Sequence, residues 1–200
     1  LVKIVMAIIP DRKARMVVLP DEPKYLDANL ISQPSAALHL VSKEVLRVSQ
    51  DVSDVLMKIN NLTENDKDEH FSEIIKEAEI AHSLSEKIND YLSAMFAEGV
   101  MTEEQANESA GLLYILCDID RIGYLGKDLL EVIRNQKNKK SGLSKEALKD
   151  LKKSLKLIIY MYSYAVEIIE NGEGASLKNI QKTKEELMQL DDKMRRNHIA

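Results

Sequence analysis

Between residues 112 and 126 an apolar run, Leu112-Leu113-Tyr114-Ile115-Leu116-Cys117, passes into Asp118-Ile119-Asp120-Arg121-Ile122-Gly123-Tyr124-Leu125-Gly126. Two carboxylates, an arginine and two glycines are set there into what is otherwise a buried helix seam. Glycine inside a helix costs roughly 0.5 to 1 kcal/mol relative to alanine, so two of them three residues apart imply a face where another backbone or a bound ion comes close. A carboxylate on such a face has to be paired, hydrogen-bonded or metal-bound, because burying a bare charge is prohibitive. Two outcomes are expected from these residues. One is a close helix crossing with a structural ion pair, in which Arg121 meets a carboxylate of an adjoining helix; the other is a carboxylate ion site. Asp118 and Asp120 are two apart and cannot share a helix face, and Asp120 is the better placed.

A second constellation lies upstream in Glu79, His82, Glu86 and Asp90. Glu86 and Asp90 stand four apart on one face, and with partners from a facing helix such a pair could hold a divalent or ferric ion. The ordinary alternatives are a solvated face for the carboxylates and a hydrogen-bonded boundary position for His82. Tyr160, Tyr162 and Tyr164 have the look of a cofactor box, yet aromatics at helical spacing usually pack in a core. No glycine-rich phosphate loop, HExxH motif or Ser, His and Asp arrangement is present, so catalysis has no positive signal.

The elements that must position these residues are helices. Leu38, Val41, Val45, Val48, Val52, Val55 and Ile59 recur at steps of three and four, predicting a first helix from about Pro34 to Asn60. The polar stretch Asn60 to Asp66 is a loop, after which Ile74, Glu77, Ala81, Leu84, Ile88, Tyr91 and Met95 give a second helix closed by Gly99. Thr102-Glu103-Glu104-Gln105 is a capping box that opens a third. Its seam of Leu112, Leu116, Ile119, Gly123, Gly126, Leu130 and Ile133 puts both glycines on the packing stripe, with Asp120 beside it. Asn135 to Gly142 breaks the pattern. Ser144 can cap a fourth helix with Leu148, Leu151, Leu155, Ile158, Tyr162, Ala165 and Ile169 on its seam, ended by Gly172 and Gly174. A fifth carries Leu177, Ile180, Leu187, Leu190 and Met194. Thirty-residue helices are about 45 Å long, and loops this short force antiparallel neighbours, so an elongated antiparallel bundle is expected. Glu79, Leu84 and Ile88 match Glu185, Leu190 and Met194 in spacing, a faint internal repeat.

Composition agrees. The 200 residues are 44% hydrophobic and 30% charged, with four prolines, seven glycines, no tryptophan and two phenylalanines, which favours an all-α chain. A net charge of -5 and the absence of a Lys/Arg stripe with interleaved aromatics argue against nucleic-acid binding. Cys117 is the only cysteine, which leaves no disulfide framework and predicts a small core residue. Residues 1–30 hold three of the prolines and form an arm, with Pro20-Asp21-Glu22-Pro23 a turn. Leu1-Val2-Lys3-Ile4-Val5-Met6-Ala7-Ile8-Ile9-Pro10, followed by Asp11-Arg12-Lys13-Ala14-Arg15, has the pattern of a membrane segment leaving into a cytoplasmic loop. An N-terminal strand or arm packed on the domain fits those residues equally well.

Several segments together resemble the PhoU family, and more closely the PhoU-like cytoplasmic domain at the C-terminal end of bacterial sodium/phosphate cotransporter family proteins. They are Tyr25-Leu26-Asp27, Pro34-Ser35-Ala36-Ala37-Leu38 leading into Glu44, Ile88-Asn89-Asp90-Tyr91-Leu92, Asp118 to Gly123, and Met194-Arg195-Arg196-Asn197-His198-Ile199. The resemblance covers most of the chain. It implies two repeats of a three-helix unit, here residues 31–136 and 143–200, with the last helix missing or incomplete and a sixth lying beyond Ala200. It also implies a non-enzymatic regulatory domain at the cytoplasmic face of the inner membrane. Its partner would be the transporter membrane domain of the same chain, with homo-oligomers possible in principle. A stand-alone phosphate-signalling adaptor and a metal-binding bundle are the alternatives.

In that family a carboxylate followed four residues later by Asp gathers metal ions on each repeat. Asp120 fills the first such position, but Tyr124 occupies the second; helix two has Ala78 and His82, and helix five has Lys184 and Met188. The expectation is therefore at most a single divalent or ferric ion, with Asp120, His82 and Glu79 as candidate ligands. Gly123, Gly126 and Arg121 take structural roles.

Overall fold

Five helices form where the apolar spacing recurs: α1 (Pro34–Asn61), α2 (Asp68–Glu98), α3 (Glu103–Lys137), α4 (Lys145–Asn171) and α5 (Leu177–Ile199). They are seen in a computed structural model that describes residues 21–62, 67–137, 144–172 and 177–199, and no strand occurs among these. The all-helical expectation holds.

The helix ends follow their residues. Pro34 opens α1, where a missing N–H costs nothing. The Thr102 box forms as expected: Gln105 donates its backbone N–H to Thr102 Oγ1 at 3.3 Å, and Thr102 N–H donates to Gln105 Oε1 at 3.0 Å. Ser144 accepts from the Ala147 amide at 3.1 Å. Gly99 and Gly172 close α2 and α4 in the left-handed region, at φ 66° and 71°, where a side chain would be strained.

Helix α1 is the axis of the fold. It packs against α2, α3 and α4, while α2 and α3 also pack against each other. Its stripe Val41, Val45, Val48, Val52, Val55 and Ile59 is buried against Phe71, Ile74, Leu84, Ile88 and Met95 of α2 and Leu116, Ile119 and Leu130 of α3. Each such side chain, fully buried, contributes about 1.5 to 3 kcal/mol, so the three-helix unit α1–α3 holds most of the apolar stabilisation. Glu77, the polar break in the α2 seam, reaches Lys58 of α1 in an exposed ion pair, and Ala78 takes the buried place beside it.

Helices α4 and α5 are attached more lightly. Tyr162 buries its ring and donates to the Ser49 carbonyl of α1 at 3.0 Å, and burial pushes its phenol well above the ordinary value. Lys152 caps the end of α1 by donating to the Leu62 carbonyl. The α4 seam is corrected at two positions: Ile158 and Ala165 are exposed, whereas Ile159 and Val166 pack on the core beside Leu155 and Tyr162. Helix α4 meets α1 along one line only, and the line through Tyr162 selects 159 and 166. Helix α5 has sustained contact with α4 alone, through Leu190 and an ion pair from Lys193 to the nearly buried Asp150. Helix α4 packs against α5 as α1 packs against α2, each with the helix that follows it.

Part of the expected arm is a docked strap. Asp27 accepts from the Asn29 amide and opens a single 3-10 turn, Ala28–Leu30, while Leu26 and Ile31 pack on the core. The expected membrane exit at Leu1 to Arg15, residues 63–66 of the first loop, residues 138–143 of the second break, and Gly174 lie outside the described residues.

Candidate functional site

The glycines on α3 determine how the site is built. A Cβ on Gly123 would sit 3.3 Å from Val52 Cγ2, and one on Gly126 would sit 3.2 Å from Leu56 Cδ2 and 3.5 Å from Ile59 Cδ1. Both are buried at the α3–α1 crossing, as the spacing predicts, and it is the helix α1 side chains that come close. Because Gly123 projects nothing, Val52 stays open to a cavity of about 280 Å³ between α2 and α3.

The floor of that cavity is Val52, Ala78, Ala81 and Gly123, and its rim carries Glu79, His82, Asp120, Tyr124 and Lys127. All three candidate ligands therefore line one pocket. On the rim His82 Nδ1 donates to Asp120 Oδ1 at 2.8 Å, with the imidazole more than half exposed and Asp120 about one-third exposed. The other ring nitrogen faces Glu86 at 3.8 Å. The hydrogen bond to Asp120 holds the His82 imidazole above its ordinary value, with the charges of Asp120 and Glu86 adding to it. One turn away Lys127 donates to Glu79 Oε1 at 2.8 Å, and that bond raises the ammonium likewise. A hydrogen-bonded His82–Asp120 pair and a Lys127–Glu79 ion pair therefore bridge α2 and α3 across an apolar floor.

The geometry gives the ion-site expectation no support. Among the described residues no three His, Cys, Asp or Glu side chains converge so as to hold a metal ion. Asp120 turns an oxygen to His82 and Glu79 turns one to Lys127, so the three candidates share a pocket but not a point. The donor set does not fit a metal, which needs several ligands at one centre. Arg121 is also corrected: it is exposed and forms no ion pair among the described residues, because it stands two residues from the buried Ile119 and so on the far face of α3. Asp118, two residues past the buried Leu116, is exposed too, and Cys117 is exposed as well, not a core residue.

Lys127 escaped the sequence reading, and Tyr124 entered it only as the residue standing where a second carboxylate would be. Lys127 stands seven residues after Asp120, hence on the same helix face, and that spacing was the available signal. Glu86 keeps a place beside His82, whereas Asp90 is exposed and outside the pocket. Of the tyrosine trio only Tyr162 is buried; Tyr160 is half exposed.

Among the described residues no helix is long and apolar enough to cross a membrane. No protein-family model matches the chain, and neither a curated protein nor a solved structure matches it.

Proposed function

We propose that this chain is a non-enzymatic regulatory domain of PhoU type, acting on a sodium-dependent phosphate transporter through helix-face contacts at the cytoplasmic side of the inner membrane. The observation that carries the reading is that three of the family-like segments sit at joints of the fold. Tyr25-Leu26-Asp27 lies in the strap, Glu44 accepts two of its amides, and Asp120 and Gly123 line the α2–α3 pocket on which α1 closes. A domain that works by holding and passing on position needs such joints, whereas an enzyme needs reactive groups free in a cleft; here the four charged rim groups are spent on one another. The helix pairs α1–α2 and α4–α5 agree with a two-repeat plan. An apolar segment at Val2 to Ile9 followed by Arg12, Lys13 and Arg15 supports attachment to a membrane domain of the same chain. The acidic net charge makes nucleic acid an unsuitable partner.

The test is sodium-driven phosphate uptake in proteoliposomes by the parent protein with and without residues 1–200. The reading requires that removal change the uptake rate or its dependence on phosphate. Identical uptake in both forms, or a parent gene encoding no apolar segments of about 20 residues, would end it.

A further inference from the structure

Glu44 lies in the α1 seam with none of its surface exposed, the most buried acid among the described residues. Its carboxylate is not spent within the helix alone. Oε2 accepts the backbone N–H of Lys24 at 2.9 Å and of Tyr25 at 2.8 Å, twenty and nineteen residues upstream, and Oε1 forms an ion pair with Arg47. Arg47 in turn donates to the Glu22 carbonyl at 3.1 Å. From α2, Lys87 donates to the Asp21 carbonyl and to the Glu22 carboxylate at 3.0 Å, and Tyr91 donates to the Asp27 carbonyl at 2.7 Å. Segment 21–31 is thus bolted to two helices at once, with Leu26 and Ile31 seated on the core.

We propose that residues 21–31 are a rigid coupler that ties whatever precedes residue 21 to the α1–α2 pair, with Glu44 as its pin. A flexible linker would be rich in glycine and would leave its backbone to water. This one has no glycine from Asp21 to Gln33, and its amides at 24 and 25 are read by a buried anion. Moving the strap off would leave that anion without the donors that allow it to be buried, so strap and helix pair shift as one body. Displacement applied at Asp21 therefore reaches α1 and α2 directly and is not lost in slack. The coupling is a mechanical property of this chain whatever stands upstream.

Hydrogen exchange of the Lys24 and Tyr25 amides, followed by NMR, tests the pin. Both should exchange at least about 100-fold more slowly than in an unstructured chain, as amides inside a cooperative unit do. Glu44→Gln, which keeps the size but weakens the acceptor, should lose at least about tenfold of that protection while the Leu116 and Leu130 amides of α3 keep theirs. A second measurement needs no change at Glu44. Spin labels on Pro23→Cys and the native, exposed Cys117 should give a narrow distance distribution that broadens in a Lys87→Ala/Tyr91→Phe variant. Unprotected strap amides, protection unchanged in Glu44→Gln, or a broad distribution in the chain with Lys87 and Tyr91 intact would each overturn the coupler.

Discussion

Gly123→Ala and Gly126→Ala differ by one methyl each, and they should differ in sign. In both, alanine gains roughly 0.5 to 1 kcal/mol of helix preference over glycine. Opposing it is the contact each new Cβ makes with α1. At 126 the nearest atom, 3.2 Å away, is Leu56 Cδ2, the tip of a side chain with two rotatable bonds, and Ile59 Cδ1 at 3.5 Å is at ordinary contact distance. A small rotation of Leu56 relieves it, so Gly126→Ala should fall within about 0.5 kcal/mol of the parent or above it. At 123 the nearest atom, Val52 Cγ2, is slightly farther at 3.3 Å, but both valine methyls face the glycine. A β-branched side chain in a helix has essentially one χ1 rotamer, so Val52 cannot turn away. Relief has to come from moving α3 off α1, an overpacking cost of about 1 to 3 kcal/mol that outweighs the helix gain. Gly123→Ala should be destabilised by about 1 kcal/mol net, a fall in Tm of about 2 to 4 °C for a chain of this length. Urea unfolding followed by far-ultraviolet circular dichroism measures the difference, and adding Val52→Ala should restore part of the loss through a negative coupling. If Gly123→Ala proves as stable as Gly126→Ala, the argument from side-chain stiffness at this crossing is wrong.

Three further outcomes are expected. The His82 imidazole, raised by its hydrogen bond to Asp120, stabilises the fold fully below its unfolded value near 6.5, and this is lost as pH rises through the higher folded value; an NMR titration should place the His82 midpoint above 6.5, and Asp120→Asn should lower it and flatten stability between about pH 6 and 8. Tyr162→Phe removes the buried bond to the Ser49 carbonyl and should cost about 1 kcal/mol in urea unfolding, since that carbonyl sits within α1 and retains a helical partner. Amides of α5, which buries only Leu190 among its described side chains, should exchange faster than those of α1 by at least about tenfold, and Asp150→Ala should widen the gap; equal protection in both helices would refute the light attachment.

How much of this was legible in the chain varies with the range of the interaction. Helix positions were, because a seam such as Leu116, Ile119, Gly123, Gly126 and Leu130 is written in local spacing, and so were caps such as Thr102 with Gln105, whose partners lie three residues apart. The placing of Gly123 and Gly126 on a crossing followed from the same stripe. Which atoms meet them did not: Val52 and Leu56 lie some 70 residues away in sequence. His82 and Asp120 both fall at positions where the family resemblance expects an ion, and they meet as a hydrogen-bonded pair. Glu79 meets Lys127 instead of the other two candidates, a competitor that becomes visible only when α2 and α3 are set at their true rotation. For Arg121 the local pattern names a charge beside a seam, and the rotation of α3 turns it to solvent.

The sequence by itself determined the all-helical class, where the five helices of the described residues run, and, α4 apart, which stripe of each is apolar, because propensity, capping and periodicity act over a turn or two of backbone. Only the tertiary structure decided that α1 is the axis, that α5 hangs on α4, and that Glu44 reaches the strap amides at 24 and 25. Those are choices among neighbours distant in the chain, made by which faces pack best together, and an acid in an apolar stripe does not state in its own sequence context which donors will permit its burial.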